Sequence, residues 1–359
     1  FGSVMAPDPR AHPWRSIIMS LRFAVSIVIS GVLAPVASLA SVYPPQPGID
    51  RESDGYFKAA EDYLLNLDLD DPSLVFKRLG GTTATNWSVA KDGTIVADLK
   101  CTSGNTDHHG AVVAYRLGRE LDFNIYPVAV YRDVNRRIGD VKVSQQCALK
   151  EWDSVFTQYY WTRETFTDTD SRAKRELVGA LQCEGPKPDQ GEGFQFSARS
   201  AYGDPKLPGA RRVFYRGDTS LLQASRDFSN MMVVDVLIGN EDRFPGGNTF
   251  FRSATTSFVQ DGDAVVFEDV RLFSLDNEAA FKSRSPSSTH AARDLKKYVS
   301  RFDAEMISKL QRLAADGEAL ARITDGSERL NDFLLEGLRI VIDHAAEVEA
   351  QCGRDTSTF

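Results

Sequence analysis

The chain has no excess of positive charge. Its 359 residues carry 42 Lys and Arg against 50 Asp and Glu, a net −8, which argues against a nucleic-acid binder, since that needs a basic face to neutralise phosphates. It is also poor in cysteine: Cys101, Cys147, Cys183 and Cys352 are scattered and form no Cys-x-x-Cys pair, which excludes a zinc knuckle. There is no Gly-x-Ser-x-Gly elbow and no His-Glu-x-x-His pair, so neither an α/β-hydrolase nucleophile nor a zinc protease helix is signalled. Past the first 40 residues no stretch is long and apolar enough to span a bilayer.

What is present is ordinary globular composition, 42% hydrophobic and 26% charged, with length for one large or two modest domains. From Met19 the run "MSLRFAVSIVISGVLAPVASLA" has a basic residue at Arg22, an apolar core through Leu33 and small residues at Ser38 and Ala40. That is the layout of a secretory signal cleaved near Ala40. The alternative, a membrane anchor, is opposed by a short apolar core broken by Gly31 and Pro35. Residues 1–40 are therefore assigned as signal peptide and upstream residues, and 41–52, "SVYPPQPGIDRE", as a Pro-rich linker. In an exported chain four scattered cysteines read as two disulfides, with three connectivities open; buried thiols are the alternative.

The rest divides in character near residue 145. "GYFKAAEDYLLNLDL" has helical spacing, and "LGGTTATNWSVAKDGTIVADLK" reads as a Gly-Gly entry into a hairpin turning at Lys91-Asp92-Gly93. A helix over 107–122 and a strand through "NIYPVAVYRDV" follow. After "SRAKRELVGALQ", a helix, residues 184–211 are rich in Gly and Pro and read as an irregular insertion. From Leu221 helices dominate, broken by short strands near 248–252 and 263–275. The expected fold is α+β, a β-rich portion over 53–145 followed by a larger helical portion over 146–359.

Two loops carry chemistry. The apolar run "VVDVLIGNEDR" stops at Gly239, a residue that accepts the left-handed conformation of a helix end, and delivers Asp242 and Arg243 into a turn that reaches Asn248. An Asp that takes a hydroxyl proton and an Asn that helps hold a metal are the pair phosphoryl transfer needs; an ordinary surface turn uses the same residues. A second apolar run ends in Asp276-Asn277-Glu278, where a carboxylate at a strand end suits a hard cation. Lys100, on a strand with Val96 and Asp98 on its own face, follows the turn Gly80-Gly81-Thr82 by about 20 residues, an order that fits a lysine beneath a phosphate-covering loop. Arg243 reads as a brace for its loop rather than a reactant. The adjacent His108 and His109 read as exposed polar residues, because neighbouring helical residues point about 100° apart. "NWS" at Asn86 fits a glycosylation site.

With these motifs in hand, the chain from about Gly80 to Leu313 resembles the secreted atypical kinases of the Golgi casein kinase and Four-jointed type, most specifically in "VVDVLIGNEDR" and "LDNEAAF". The resemblance implies a two-lobed protein-kinase-like fold, with ATP as phosphate donor, Mg²⁺ or Mn²⁺ as metal, and Ser or Thr hydroxyls of exported proteins as acceptors. It implies Asp242 as catalytic base, Asp276 as metal ligand, Lys100 as nucleotide-positioning residue, and Gly80, Gly81 and Thr82 as the phosphate loop; Asn248 is the further metal ligand. Where the family helix carries the Glu that pairs with the lysine, this chain has Ala111. Asp107, four residues earlier and hence one turn away on the same helical face, and Asp98 on the strand beside Lys100 are candidates to substitute. The alternatives are a pseudokinase of the same fold, kept for nucleotide binding or scaffolding, and a secreted interaction domain without a nucleotide site. The expected location is extracellular, periplasmic or luminal, with no nucleic-acid partner and no membrane span once the signal is removed.

Overall fold

The computed structural model describes residues 53–78, 85–104, 107–151, 172–189, 191, 193–199, 214–241, 243, 249–253, 259–261, 264–267, 270–274 and 277–359. The expected signal peptide and linker lie outside them. Among the described residues, no helix is long and apolar enough to cross a membrane.

Helix α1, Asp54–Asn66, starts where the Ser53 hydroxyl accepts from the Tyr56 amide, a side-chain cap. It buries Tyr56, Phe57, Ala60 and Leu64, one helical stripe. Strands β1 (Val75–Arg78), β2 (Thr85–Lys91) and β3 (Thr94–Cys101) come next, then helix α2 (His109–Glu120), β4 (Ala129–Ile138) and β5 (Val141–Glu151). These strands form one antiparallel sheet in the order β1-β2-β3-β5-β4. The β2–β3 turn is as expected: Asp92 and Gly93 both have positive φ, 51° and 78°, the two-residue turn whose twist matches a hairpin. Strand β5 runs to Glu151, so the sheet continues past the boundary drawn at 145.

The register assigns the faces. Asn86, Ser88, Asp98, Lys100, Ala148, Lys150, Ala129 and Tyr131 share one face; Trp87, Val89, Ala97, Leu99, Cys147, Leu149 and Glu151 share the other. Helix α1 covers the second face, where Tyr56 Oη donates to Glu151 Oε2 at 2.6 Å and Arg132 donates to the carbonyls of Leu64 and Leu67. The first face meets the start of α2, where Tyr131 packs edge-on against His108 and His109.

The later portion contains α3 (Arg172–Ala180), β6 (Gly193–Arg199), β7 (Phe214–Ser220), α4 (Leu221–Ile238), β8 (Thr249–Ser253), β9 (Val259–Asp261), β10 (Ala264–Phe267) and β11 (Val270–Ser274). Strands β6, β7, β10 and β9 form a second sheet, and β11 pairs with β8. The 184–211 stretch is thus not wholly irregular: β6 lies within it, and its partner β7 supplies the ladder bonds that Gly-rich local sequence does not advertise. Helices α5 (His290–Tyr298), α6 (Ala304–Ala315), α7 (Gly317–Thr324), α8 (Glu328–Cys352) and α9 (Arg354–Ser357) complete the chain. Helix α4 is buried apart from Leu222, Gln223 and Arg226. It ends at Gly239, φ 65°, as its sequence predicts. Helix α8 crosses it at Gly337, where an added Cβ would lie 2.9 Å from Leu237 Cα. The architecture is α+β, sheet first and helices after, the division expected. The cysteines pair as Cys101–Cys147 and Cys183–Cys352.

Candidate functional site

In the run Ser229–Gly239 of α4 the one charged residue is Asp235, and it is 2% exposed. A carboxylate taken that far from water needs a partner. It finds Arg243, just past the helix end: Nε donates to Oδ2 at 2.9 Å and Nη2 to Oδ1 at 3.0 Å, a two-pronged pairing matched to the guanidinium plane. Nη2 also donates to Ser274 Oγ at 2.5 Å and Asn277 Oδ1 at 2.9 Å. Ser274 Oγ donates to Asn277 Oδ1 at 2.9 Å, and Asn240 Nδ2 donates to Asp235 Oδ1 at 3.0 Å. All five residues are nearly fully buried. Arg243 is therefore the brace that its position beside Asp242 suggested. Tyr126 is buried against the same group; burial pushes its hydroxyl pKa well up, the Asp235 charge adds to that and Arg243 opposes it.

The knot ties together two chain segments. One contains Glu241 and Arg243, on either side of Asp242; the other contains Ser274 and Asn277, on either side of Leu275 and Asp276. The second segment is further fixed by the Ser274 amide donating to the Ile125 carbonyl and the Phe281 amide donating to the Ile238 carbonyl, both at 2.9 Å. It also abuts α2, because a Cβ on Gly110 would lie 2.1 Å from the Asn277 carbonyl oxygen. The residues Asp242, Asn248, Asp276, Gly80, Gly81 and Thr82 lie outside the described residues.

Lys100 is described, and it is not a solvated strand lysine: it is 6% exposed, opposite Asn86 on β2 and Ala148 on β5. Asp98, two residues back on the same face, stands opposite Lys150, which is 4% exposed. Two buried lysines thus share this sheet face. Sequence reasoning passed over Lys150, whose setting depends on the β3–β5 register. Asp235 was open to notice, as a lone charge in an apolar helix. Asn86 is 2% exposed and its Oδ1 has no hydrogen-bond partner; a glycan does not fit there.

Ala111, 4% exposed, occupies the α2 position where the resemblance implies a Glu. Asp107 does not stand one helical turn before it, since α2 begins only at His109. Its carboxylate is taken by His109 Nδ1 at 2.6 Å and by Arg329 Nη2 at 3.4 Å. The reading of His108 and His109 as exposed and divergent is also corrected. His108 precedes the helix, is 6% exposed, and its ring centroid lies 4.0 Å from that of His109.

No family model and no curated protein matches this chain. Solved structures do. The structure of hydra Fam20 with sugar has 13% identity and a TM-score of 0.49, covering 86% of this chain and 93% of that one. The Golgi casein kinase with Mn/ADP bound has 12% identity and a TM-score of 0.48, covering 84% and 78%. The Helicobacter pylori proinflammatory kinase CtkA has 13% identity and a TM-score of 0.39, covering 76% and 96%. The Golgi casein kinase, whose group the sequence motifs resemble, is thus among the solved structures similar to this chain.

Proposed function

We propose that this chain is an exported, metal-dependent kinase that moves the γ-phosphoryl group of ATP to Ser or Thr hydroxyls of exported proteins. The observation that carries the reading is the 2.9 Å hydrogen bond from Arg243 to Asn277, since it joins the immediate neighbours of Asp242 to those of Asp276. Phosphoryl transfer is catalysed mainly by positioning and charge, and a buried guanidinium with a fixed set of acceptors is suited to holding two loops in register.

The residues fit a nucleotide and a hard metal in three respects. Lys100 is held by a sheet rather than by a flexible loop, and Gly80, Gly81 and Thr82 fall in sequence between β1 and β2, the second of which pairs with the strand of Lys100. The unpartnered Asn86 Oδ1 faces the same way as Lys100. Asp276 follows a strand end that Ser274 and Asn277 anchor. In the reaction, Asp242 accepts the acceptor hydroxyl's proton as its oxygen bonds to phosphorus, the bond to the departing ADP breaks, and Lys100 holds the remaining phosphates. Asp276, with Asn248, would hold Mg²⁺ or Mn²⁺, which neutralises charge on the phosphate oxygens. The two disulfides support an oxidising location.

A second reading, a pseudokinase that binds nucleotide without turning it over, is favoured by Ala111 and by the engagement of Asp107 with His109 and Arg329. Transfer from labelled ATP to a secreted-protein extract, with wild type beside Asp242→Ala and Asp276→Ala, separates the two. Transfer abolished by both substitutions is the expected result. Metal-dependent ATP binding without transfer would replace the kinase with the pseudokinase, and absence of both would leave an interaction domain.

A further inference from the structure

Outside the phosphate-transfer residues, a second group of side chains converges at the start of α2. Asp107 Oδ1 lies 2.6 Å from His109 Nδ1 and 3.9 Å from His108 Nδ1, and one ligand atom from each of the three residues falls within 4.8 Å of the others. We propose that Asp107, His108 and His109 form a binding site for an imidazole-seeking divalent cation, Zn²⁺ foremost, distinct from any site for Mg²⁺ or Mn²⁺.

The ligand set suits that class of ion: two imidazoles and one carboxylate favour Zn²⁺ over the hard, oxygen-seeking ions. The distances lie on either side of what coordination requires. Bonds of about 2.0–2.2 Å at tetrahedral angles put ligand atoms about 3.3–3.5 Å apart, so the Asp107–His109 separation opens and the Asp107–His108 separation closes, each by less than about 1 Å, while the third pair lies within 4.8 Å. The ion would take the place of the proton now shared between His109 Nδ1 and the Asp107 carboxylate.

The surroundings orient the ligands. His108 Nε2 lies 3.4 Å from Gln146 Oε1 on β5; donation to that carbonyl leaves Nδ1 unprotonated, its lone pair taken by the Thr102 hydroxyl, and outer partners of this kind fix a metal-binding histidine. Thr102 Oγ1, 2.6 Å from the same Nδ1, is a hydroxyl able to rotate away or to complete the set. Arg329 holds Asp107 Oδ2, and Oδ1, which accepts from the His109 amide at 3.0 Å, is the oxygen turned to the histidines. Tyr131 lies edge-on to both rings, at 5.8 and 5.7 Å, and covers them from water on one side. Burial and the neighbouring His109 hold His108 below its ordinary pKa. Burial raises the Asp107 pKa, but hydrogen bonding from His109 and the nearby histidine charges bring it below the ordinary value. Arg329 and the partial positive charge of the helix start oppose a cation, so micromolar rather than nanomolar affinity is expected. Bound there, the ion would join the β3–α2 connection to β5 and α8, one residue from the contact between Gly110 and Asn277.

The test is calorimetric titration of chelator-treated protein with Zn²⁺ alone, without nucleotide. One ion per chain is expected. His108→Gln/His109→Gln should weaken binding at least tenfold, and Gln146→Leu, which leaves all three proposed ligands in place, by about tenfold through the lost orientation of His108. Circular dichroism confirms that each variant is folded, and a Co²⁺ spectrum of wild type with tetrahedral bands gives a second readout. Zn²⁺ binding that is absent from wild type, or equal in wild type and the double variant, overturns the proposal. So does binding removed by Asp242→Ala/Asp276→Ala but not by the histidine substitutions, which would place the ion at the hard-metal residues. Retention of the site in that aspartate variant is expected, and it keeps this result independent of whether the chain is a kinase.

Discussion

A Cβ on Gly110 would stand 2.1 Å from the Asn277 carbonyl oxygen, so α2 and the turn after β11 meet backbone to backbone. No side chain fits between them. Gly110→Ala must push the helix away from the segment that follows Asp276, at a cost of about 1–3 kcal/mol for overpacking. Thermal unfolding measures that cost. Phosphate transfer should fall further than a neutral destabilisation explains, and an Ala variant with wild-type activity and melting temperature would contradict the contact.

Arg243 and Asp235 make the second test. Arg243→Met leaves a buried carboxylate without its main partner, and about 3–5 kcal/mol of stability should be lost. Adding Asp235→Leu removes the stranded charge, so the double variant should recover a large part of that loss in urea unfolding. If the pair serves chiefly to hold the two loops, stability returns and phosphate transfer does not.

Lys100→Met tests the nucleotide role. Loss of one positioned donor typically lowers turnover by about 10²–10³-fold, and a comparable fall is expected here. Lys150→Met on the same face should chiefly raise the KM for ATP. Equal and small effects of both substitutions would mean that this face serves the fold rather than the substrate.

His344 gives a pH dependence. Burial lowers its pKa, while Nε2 donates to the Val299 carbonyl at 3.0 Å, Glu347 opposes the shift and Lys296 adds to it. The folded state therefore favours the neutral ring. Its stabilising effect is complete above the ordinary histidine value of about 6.5 and is lost as pH falls below it towards the depressed folded value. His344→Gln, which retains a donor for Val299, should make the decline in unfolding free energy between pH 7 and pH 5 shallower. His108 contributes in the same direction, so a residual slope is expected.

How much of this was legible in the sequence follows from what side-chain patterns report. Lys91-Asp92-Gly93 specifies its turn locally, and Gly239 ends its helix locally, so both were readable. The role of Arg243 was readable because a loop after a buried helix has backbone and carboxylate groups to satisfy. Asp98 and Lys100 alternate with Ala97 and Leu99 as a solvent-facing edge would; that both faces of β3 are covered depends on α1, on α2 and on elements distant in sequence. Lys150 becomes notable only once β5 is paired with β3. Strands β6 and β7 were hidden because Gly and Pro in their neighbourhood speak of turns while the pairing is long-range. The histidine pair was misread although His108 has helical dihedrals, φ −61° and ψ −23°: that the two rings approach each other and pack against Tyr131 is a tertiary fact of β4 and α2.

The Cys101–Cys147 bond links directly paired positions on β3 and β5, one residue from Lys100 and three from Lys150. Those strands cannot slide past each other, and the sheet that carries both lysines behaves as a single plate. Both cysteines are buried, so a thiol reductant reaches that bond only when the sheet itself opens, and the constraint outlasts mild reduction of the folded chain.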